Sequence, residues 1–185
     1  MKIWAISLAI LLLLTGCDAS SEIERGMALR NEILKGKNCK FTAKVTADYG
    51  DRSTEFTMDC SFDSMGNMDF TVIQPQSISG ITGSVSTQGG NLRFDDKVLF
   101  FSLLTDEQIN PVSAPWIFMK TLRSGYLTSA CMESGLLRMS IDDSFDDDAL
   151  NLDIWLDNEN VPVRGEVLYE GERILTIEVE SFAIV

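Results

Sequence analysis

The chain contains no histidine. That removes the side chain most often used as a general base and as a metal ligand near neutral pH. Positive charge is also scarce, with 15 Lys+Arg against 28 Asp+Glu and a net charge of −13. Nucleic-acid binding rests on neutralising phosphates with Lys and Arg, so this balance argues against it. Three nucleophile and nucleotide signatures are missing: G-x-S-x-G, the P-loop and C-x-x-C. Many carboxylates are present, but no pattern brings two into an apolar cleft for acid–base work. The expectation is a protein that is not an enzyme and needs no cofactor. There is no internal repeat and no low-complexity linker, and 185 residues suffice for one domain. Apolar residues make up 45%, ordinary for a folded domain and too high for disorder.

Lys2 is the only charge in the first sixteen residues, and an apolar run follows from Ile3 to Leu14. That run is short for a bilayer core of roughly 30 Å and matches the core of a signal peptide. It ends in Leu14-Thr15-Gly16-Cys17, which resembles the lipobox of bacterial lipoproteins. The resemblance implies cleavage before Cys17 and acylation of its thiol. Residues 1–16 are then a signal peptide, 17–21 a lipidated cysteine with a short tether, and 22–185 the folded domain. Loss of residues 1–16 leaves 169 residues and moves the net charge to −14. Two acyl chains anchor stably where one does not. A tether of so few residues spans on the order of 15 Å, so the domain should sit close to the membrane, on its extracytoplasmic face.

Ser21-Glu22-Ile23-Glu24 reads as a capping box opening a helix to about Leu34, with Ile23, Met27 and Leu34 on one side and Leu29 and Ile33 nearby. Strict alternation follows. Phe41, Ala43, Val45 and Ala47 share one face; Phe56, Met58, Cys60 and Phe62 share the matching face after a turn near Tyr49-Gly50. Similar segments lie at 68–72, 84–88, 91–95, 98–103, 126–132, 136–141, 150–156, 161–170 and 175–180, about eleven strands in all. Between them, Pro111 to Arg123 holds Trp116-Ile117-Phe118-Met119 and closes at Gly125. Four bulky apolar residues in a row predict a helix buried nearly all round. So many antiparallel strands with one wet face must curl. The expected fold is α+β: a curved antiparallel sheet forming an open half barrel, with helices on its concave side.

This order of elements resembles the superfamily of bacterial lipoprotein carriers with the LolA/LolB-like fold, which also includes mycobacterial lipoproteins such as LppX and LprG. The features that carry the resemblance are the lipobox, the helix-then-hairpin start, the Gln74-Pro75 break, the proline-flanked apolar helix, and Trp155 to Val163 followed by two strands. It spans nearly all of the chain after residue 16. It implies that the space between sheet and helices holds acyl chains of lipids or lipoproteins. Phe56, Met58, Phe62, Phe70, Trp116, Phe118 and Met119 are the candidate lining. The same residues would equally fill a solid core. In that case the protein is a cell-envelope interaction or scaffold lipoprotein, with a protein partner in place of the ligand.

Cys39 and Cys60 fall on the apolar face of one hairpin and nearly face each other about a turn centred at 49–50. An exported compartment permits a disulfide between them, and two buried thiols are the alternative. Cys131 is left as a core thiol or an intermolecular link. The acidic run 142–148 could in principle hold Ca²⁺, but it lacks the D-x-D-x-D-G spacing and reads as a solvated loop. No metal site is expected.

Overall fold

The structure is a computed structural model that describes residues 18–50, 52–105, 108–146 and 149–185. The lipobox and Cys17 lie outside the described residues, as do Asp147 and Asp148 of the acidic run. Helix α1 covers Asp18–Lys35. A meander of six strands follows: β1 Asn38–Asp48, β2 Ser53–Asp63, β3 Met68–Gln74, β4 Thr82–Ser86, β5 Gly89–Phe94 and β6 Lys97–Phe101. Two short strands, β7 Leu104–Thr105 and β8 Gln108–Ile109, lead through a 3-10 turn at Pro111–Ser113 into α2, Ala114–Ser124. A second meander completes the chain: β9 Tyr126–Glu133, β10 Leu136–Asp142, β11 Asn151–Leu156, β12 Pro162–Tyr169 and β13 Glu172–Ile184.

Eleven strands form one antiparallel sheet in the order β6-β5-β4-β3-β2-β1-β13-β12-β11-β10-β9. The two meanders are joined edge to edge by β1 and β13, with Phe41 opposite Phe182 and Val45 opposite Ile177. The sheet does not close on itself, so β6 and β9 are its edges. Period-2 alternation explains its one dry face: along β1, Cys39, Phe41, Ala43, Val45 and Ala47 are all buried. The open α+β half barrel expected from the sequence is the fold observed.

Helix α2 fills the concave side. Eight of its eleven residues are buried, as four consecutive bulky apolar residues demand. Ser113 stands at its N-cap position but makes no side-chain capping bond. The Asn110 side chain instead accepts from the Val112 amide, while the Ser113 hydroxyl donates to the Asn110 carbonyl. The helix lies so close to the sheet that an added Cβ at Gly165 would come 2.6 Å from the Phe118 ring. Phe118 and Phe41 complete the contact with ring centres 6.4 Å apart.

Three expectations are corrected. Helix α1 begins by Asp18, upstream of the expected Ser21 cap, whose hydroxyl bonds the Glu22 carboxylate. Its buried stripe is Gly26, Leu29 and Ile33; Ile23, Met27 and Leu34 remain about half exposed. Gly26 makes the close approach: an added Cβ there would come 2.1 Å from the Met139 sulfur. The third correction is register. Cys39 pairs with Phe62, and Cys60 with Phe41. The β1–β2 turn is centred two half-steps later than expected, so the two cysteines are diagonal neighbours at about 7–8 Å rather than opposite partners. Both are buried free thiols.

Candidate functional site

The interior of the half barrel is packed. Phe56, Met58, Phe62, Phe70, Phe118 and Met119 are each 5% exposed or less and belong to one continuous core. Of the seven residues proposed as lining, Trp116 alone borders the apolar cavity that the fold leaves open. That cavity lies at one end of the barrel and has a volume of about 810 Å³. The β1–β2 turn contributes Asp48, Tyr49 and Gly50; the β10–β11 loop contributes Asp143, Ser144, Ala149 and Leu150. The β12–β13 turn adds Tyr169, Glu172, Arg173 and Ile174, and α2 supplies Trp116, Ile117 and Lys120 as one wall. Leu103, just before the short β7–β8 ribbon, and Ile109, at the end of β8, close the last side.

Register explains why these residues meet. Asp48 pairs with Ser53, Tyr169 with Glu172 and Asp142 with Asn151, so three turns stack at the same end of the sheet. Ile117 of α2, Leu150 and Ile174 of β13 supply apolar wall. The rim is polar. Lys120 reaches Asp143 at 3.6 Å, tying α2 to the β10–β11 loop. Arg173 reaches Glu166 at 3.0 Å on the outer face. The Tyr49 hydroxyl donates to the Ile109 carbonyl and holds the β7–β8 segment over the cavity. Burial pushes the Tyr49 phenol up from its ordinary value, so it stays a neutral donor at physiological pH.

Helix α2 is also fastened to the region of the β2–β3 turn. The Trp116 indole donates to the Gly66 carbonyl at 2.8 Å, and the Arg123 guanidinium donates to Ser64 and Asp63 carbonyls at 2.6 and 3.4 Å. The Ser64 and Gly66 carbonyls lie in the β2–β3 turn, and Asp63 ends β2. Asp63 organises that turn by accepting from the Asn67 amide and side chain and from the Met65 amide. Burial works against its charge, but these donors outweigh it and hold the carboxyl below its usual value. Arg30 of α1 donates to the Leu122 carbonyl at 2.8 Å and closes the last turn of α2.

A second depression, about 780 Å³, runs over the outer face of β13 and β1–β5. Its walls are Thr42, Ser61, Thr71, Thr82, Ser84 and Ser181, with Lys40 and Arg93 among them. Hydroxyl side chains are numerous there, and Phe41, Phe70 and Phe182 also line it. Among the described residues no cluster of His, Cys, Asp or Glu could hold a metal ion. In the acidic run, Asp142 bonds the Asn151 amide group, and Asp143 accepts from the Leu150 amide. Cys131 is exposed on β9.

Sequence reasoning missed the site's location. Tyr49, Leu103, Ile109, Leu150 and Ile174 sit at the ends of strands, where alternation gives no sign of an inward turn. Their signal was apolar character at turn boundaries, where solvated residues are the rule.

The fold and this site define an open half barrel with a filled centre and an apolar cavity at its mouth. No protein-family model matches the chain, and comparison with curated proteins finds no similar sequence. Solved structures similar to it include a putative outer membrane lipoprotein-sorting protein domain from Vibrio parahaemolyticus. That match has 9% identity and a TM-score of 0.47, covering 86% of this chain and 90% of that one. A LolA superfamily protein from Nitrosomonas europaea is 7% identical with a TM-score of 0.45, covering 90% and 93%. The lipoprotein LppX from Mycobacterium tuberculosis is 11% identical with a TM-score of 0.41, covering 88% and 93%.

Proposed function

We propose that the protein is a membrane-anchored, extracytoplasmic lipoprotein that holds an apolar ligand, an acyl chain of a lipid or lipoprotein, in the mouth of its half barrel. The observation that carries the reading is the mouth cavity itself. At about 810 Å³ it lies within the range of small-molecule sites, and its deeper walls are the apolar side chains of Trp116, Ile117, Leu150 and Ile174. The driving force would be removal of apolar ligand surface from water, at about 25 cal/mol per Å². The rim carries Lys120 and Arg173 beside Asp48, Asp143 and Glu172, so it offers no net positive charge to an acidic headgroup. A neutral or zwitterionic head is therefore the better match. The anchor would be Cys17, one residue before α1 begins, which holds the domain against the bilayer that supplies the ligand.

The filled centre favours a second reading for part of the molecule. With Phe56, Met58, Phe62, Phe70, Phe118 and Met119 packed, no ligand can thread the barrel, and a protein partner in the cell envelope would read the outer surface. Mass spectrometry of the gently purified protein separates the two. Lipid released on denaturation supports the ligand reading; a lipid-free protein that co-purifies with a partner in a salt-sensitive way supports the other.

A further inference from the structure

Of the large apolar side chains exposed among the described residues, four lie together at one edge of the sheet. Phe94 is 54% exposed, Val98 49%, Leu99 66% and Phe100 83%. All four belong to the β5–β6 hairpin, and β6 hydrogen-bonds to β5 alone. Strand parity places Leu99, opposite Leu92, on the core side of the sheet, and Val98 and Phe100, opposite Arg93 and Asn91, on the outer side. The edge is therefore apolar on both faces at once. A flat partner or a lipid surface would cover one face; a further strand covers both and also takes up the free backbone groups of β6.

We propose that this strand is the β6 of a second copy of the chain, paired antiparallel about Leu99. A twofold axis there sets Leu99 opposite its own mate and Val98 opposite Phe100 on either side. The contact is isologous and closes at two copies. Pairing β6 with the other edge, β9, would be heterologous and would run on into a filament. β9 is also a poor match, since it carries Thr128, Ser129 and Glu133 and is flanked by α1, whose Arg25 reaches Met132. Charge favours the same edge. In a chain of net charge −13, residues 89–101 carry two cations, Arg93 and Lys97, and two anions, Asp95 and Asp96. Two copies meet there without net repulsion. At about 150–250 Å² per aromatic side chain, and somewhat less for Leu and Val, the exposed apolar area is on the order of 400 Å² per copy. A standard interface buries about 800 Å² per partner, and the paired backbones and flanking side chains supply the rest.

The test is sedimentation velocity of the purified full chain in non-ionic detergent between about 1 and 100 µM, concentrations spanning modest association constants. The wild type is expected to be dimeric at the upper end. Leu99→Glu and Leu99→Lys, changes at an exposed position, should each be monomeric throughout with melting temperatures close to wild type. An equal mixture of the two should restore the dimer, because opposite charges then face across the axis. A monomeric wild type, a dimer that survives both substitutions, or a mixture that stays monomeric overturns the proposal. So does a monomer whose residues 97–101 gain hydrogen-exchange protection only on phosphatidylcholine vesicles, which assigns the edge to a lipid surface.

Discussion

Individual polar atoms in this core carry separable energies. The Thr121 hydroxyl is buried in α2 without a hydrogen-bond partner. Thr121→Val keeps its shape and removes the unsatisfied group, so it should raise stability by about 1 kcal/mol in urea unfolding. The opposite case is Asp153, buried on β11, which accepts from Arg138 and Ser140. Arg138→Ala leaves that carboxylate buried without its cation and should cost about 2 kcal/mol; Arg138 is itself partly exposed, which moderates the loss. Cysteines give the pH dependence. Burial raises the Cys39 thiol to about 11, eased slightly by nearby Arg123, and raises Cys60 further. An unfolded thiol ionises near 9, so between about pH 9 and 11 the unfolded state binds fewer protons than the folded one. The contribution of Cys39 to stability is therefore complete below pH 9 and falls as pH rises towards 11. A thiol reagent at pH 8 should modify Cys131 quickly in the native protein, and Cys39 and Cys60 only after denaturation.

At the scale of elements, α2 is positioned by a turn. Asp63 shapes the β2–β3 turn, and that turn's carbonyls receive Trp116 and Arg123. Trp116→Phe removes one such bond and should cost about 1 kcal/mol. Gly165→Ala pushes a methyl into the Phe118 ring and should cost about 1–3 kcal/mol, read as a lower urea midpoint. Acid tests the same element. Asp63 is held below its usual pKa, so its stabilisation is present above about pH 4 and is lost as pH falls through the folded value; Asp63→Asn should flatten that limb. These contacts also explain what was legible beforehand. Strand alternation fixed the face of each β1 and β2 residue, and the run Trp116 to Met119 announced a buried helix. Neither pattern carries register. Asp48 pairs with Ser53, which sets Cys39 opposite Phe62, and alternation alone does not mark that offset. The two-residue strands β7 and β8 are too short for any periodicity to mark.

At the scale of the whole molecule, curling the sheet buries one face but leaves one end open. Apart from Trp116, the candidate lining of bulky side chains is core, because a pocket wall and a core use the same residues; only the geometry of three stacked turns separates them. Location follows from the other end of the chain. If Cys17 is acylated, Cys17→Ser should abolish metabolic labelling with palmitate and move the protein out of the membrane fraction. The most direct test of ligand binding is titration with a fluorescent phosphatidylcholine probe, whose head is zwitterionic, comparing the wild type with Ile174→Trp, which narrows the mouth cavity from β13. The account predicts saturable uptake of about one probe per chain by the wild type. It predicts at least roughly tenfold weaker binding by a variant that melts at nearly the same temperature, equivalent to about 1.4 kcal/mol. A wild type that takes up no probe, or a variant that binds as well as the wild type, would contradict it.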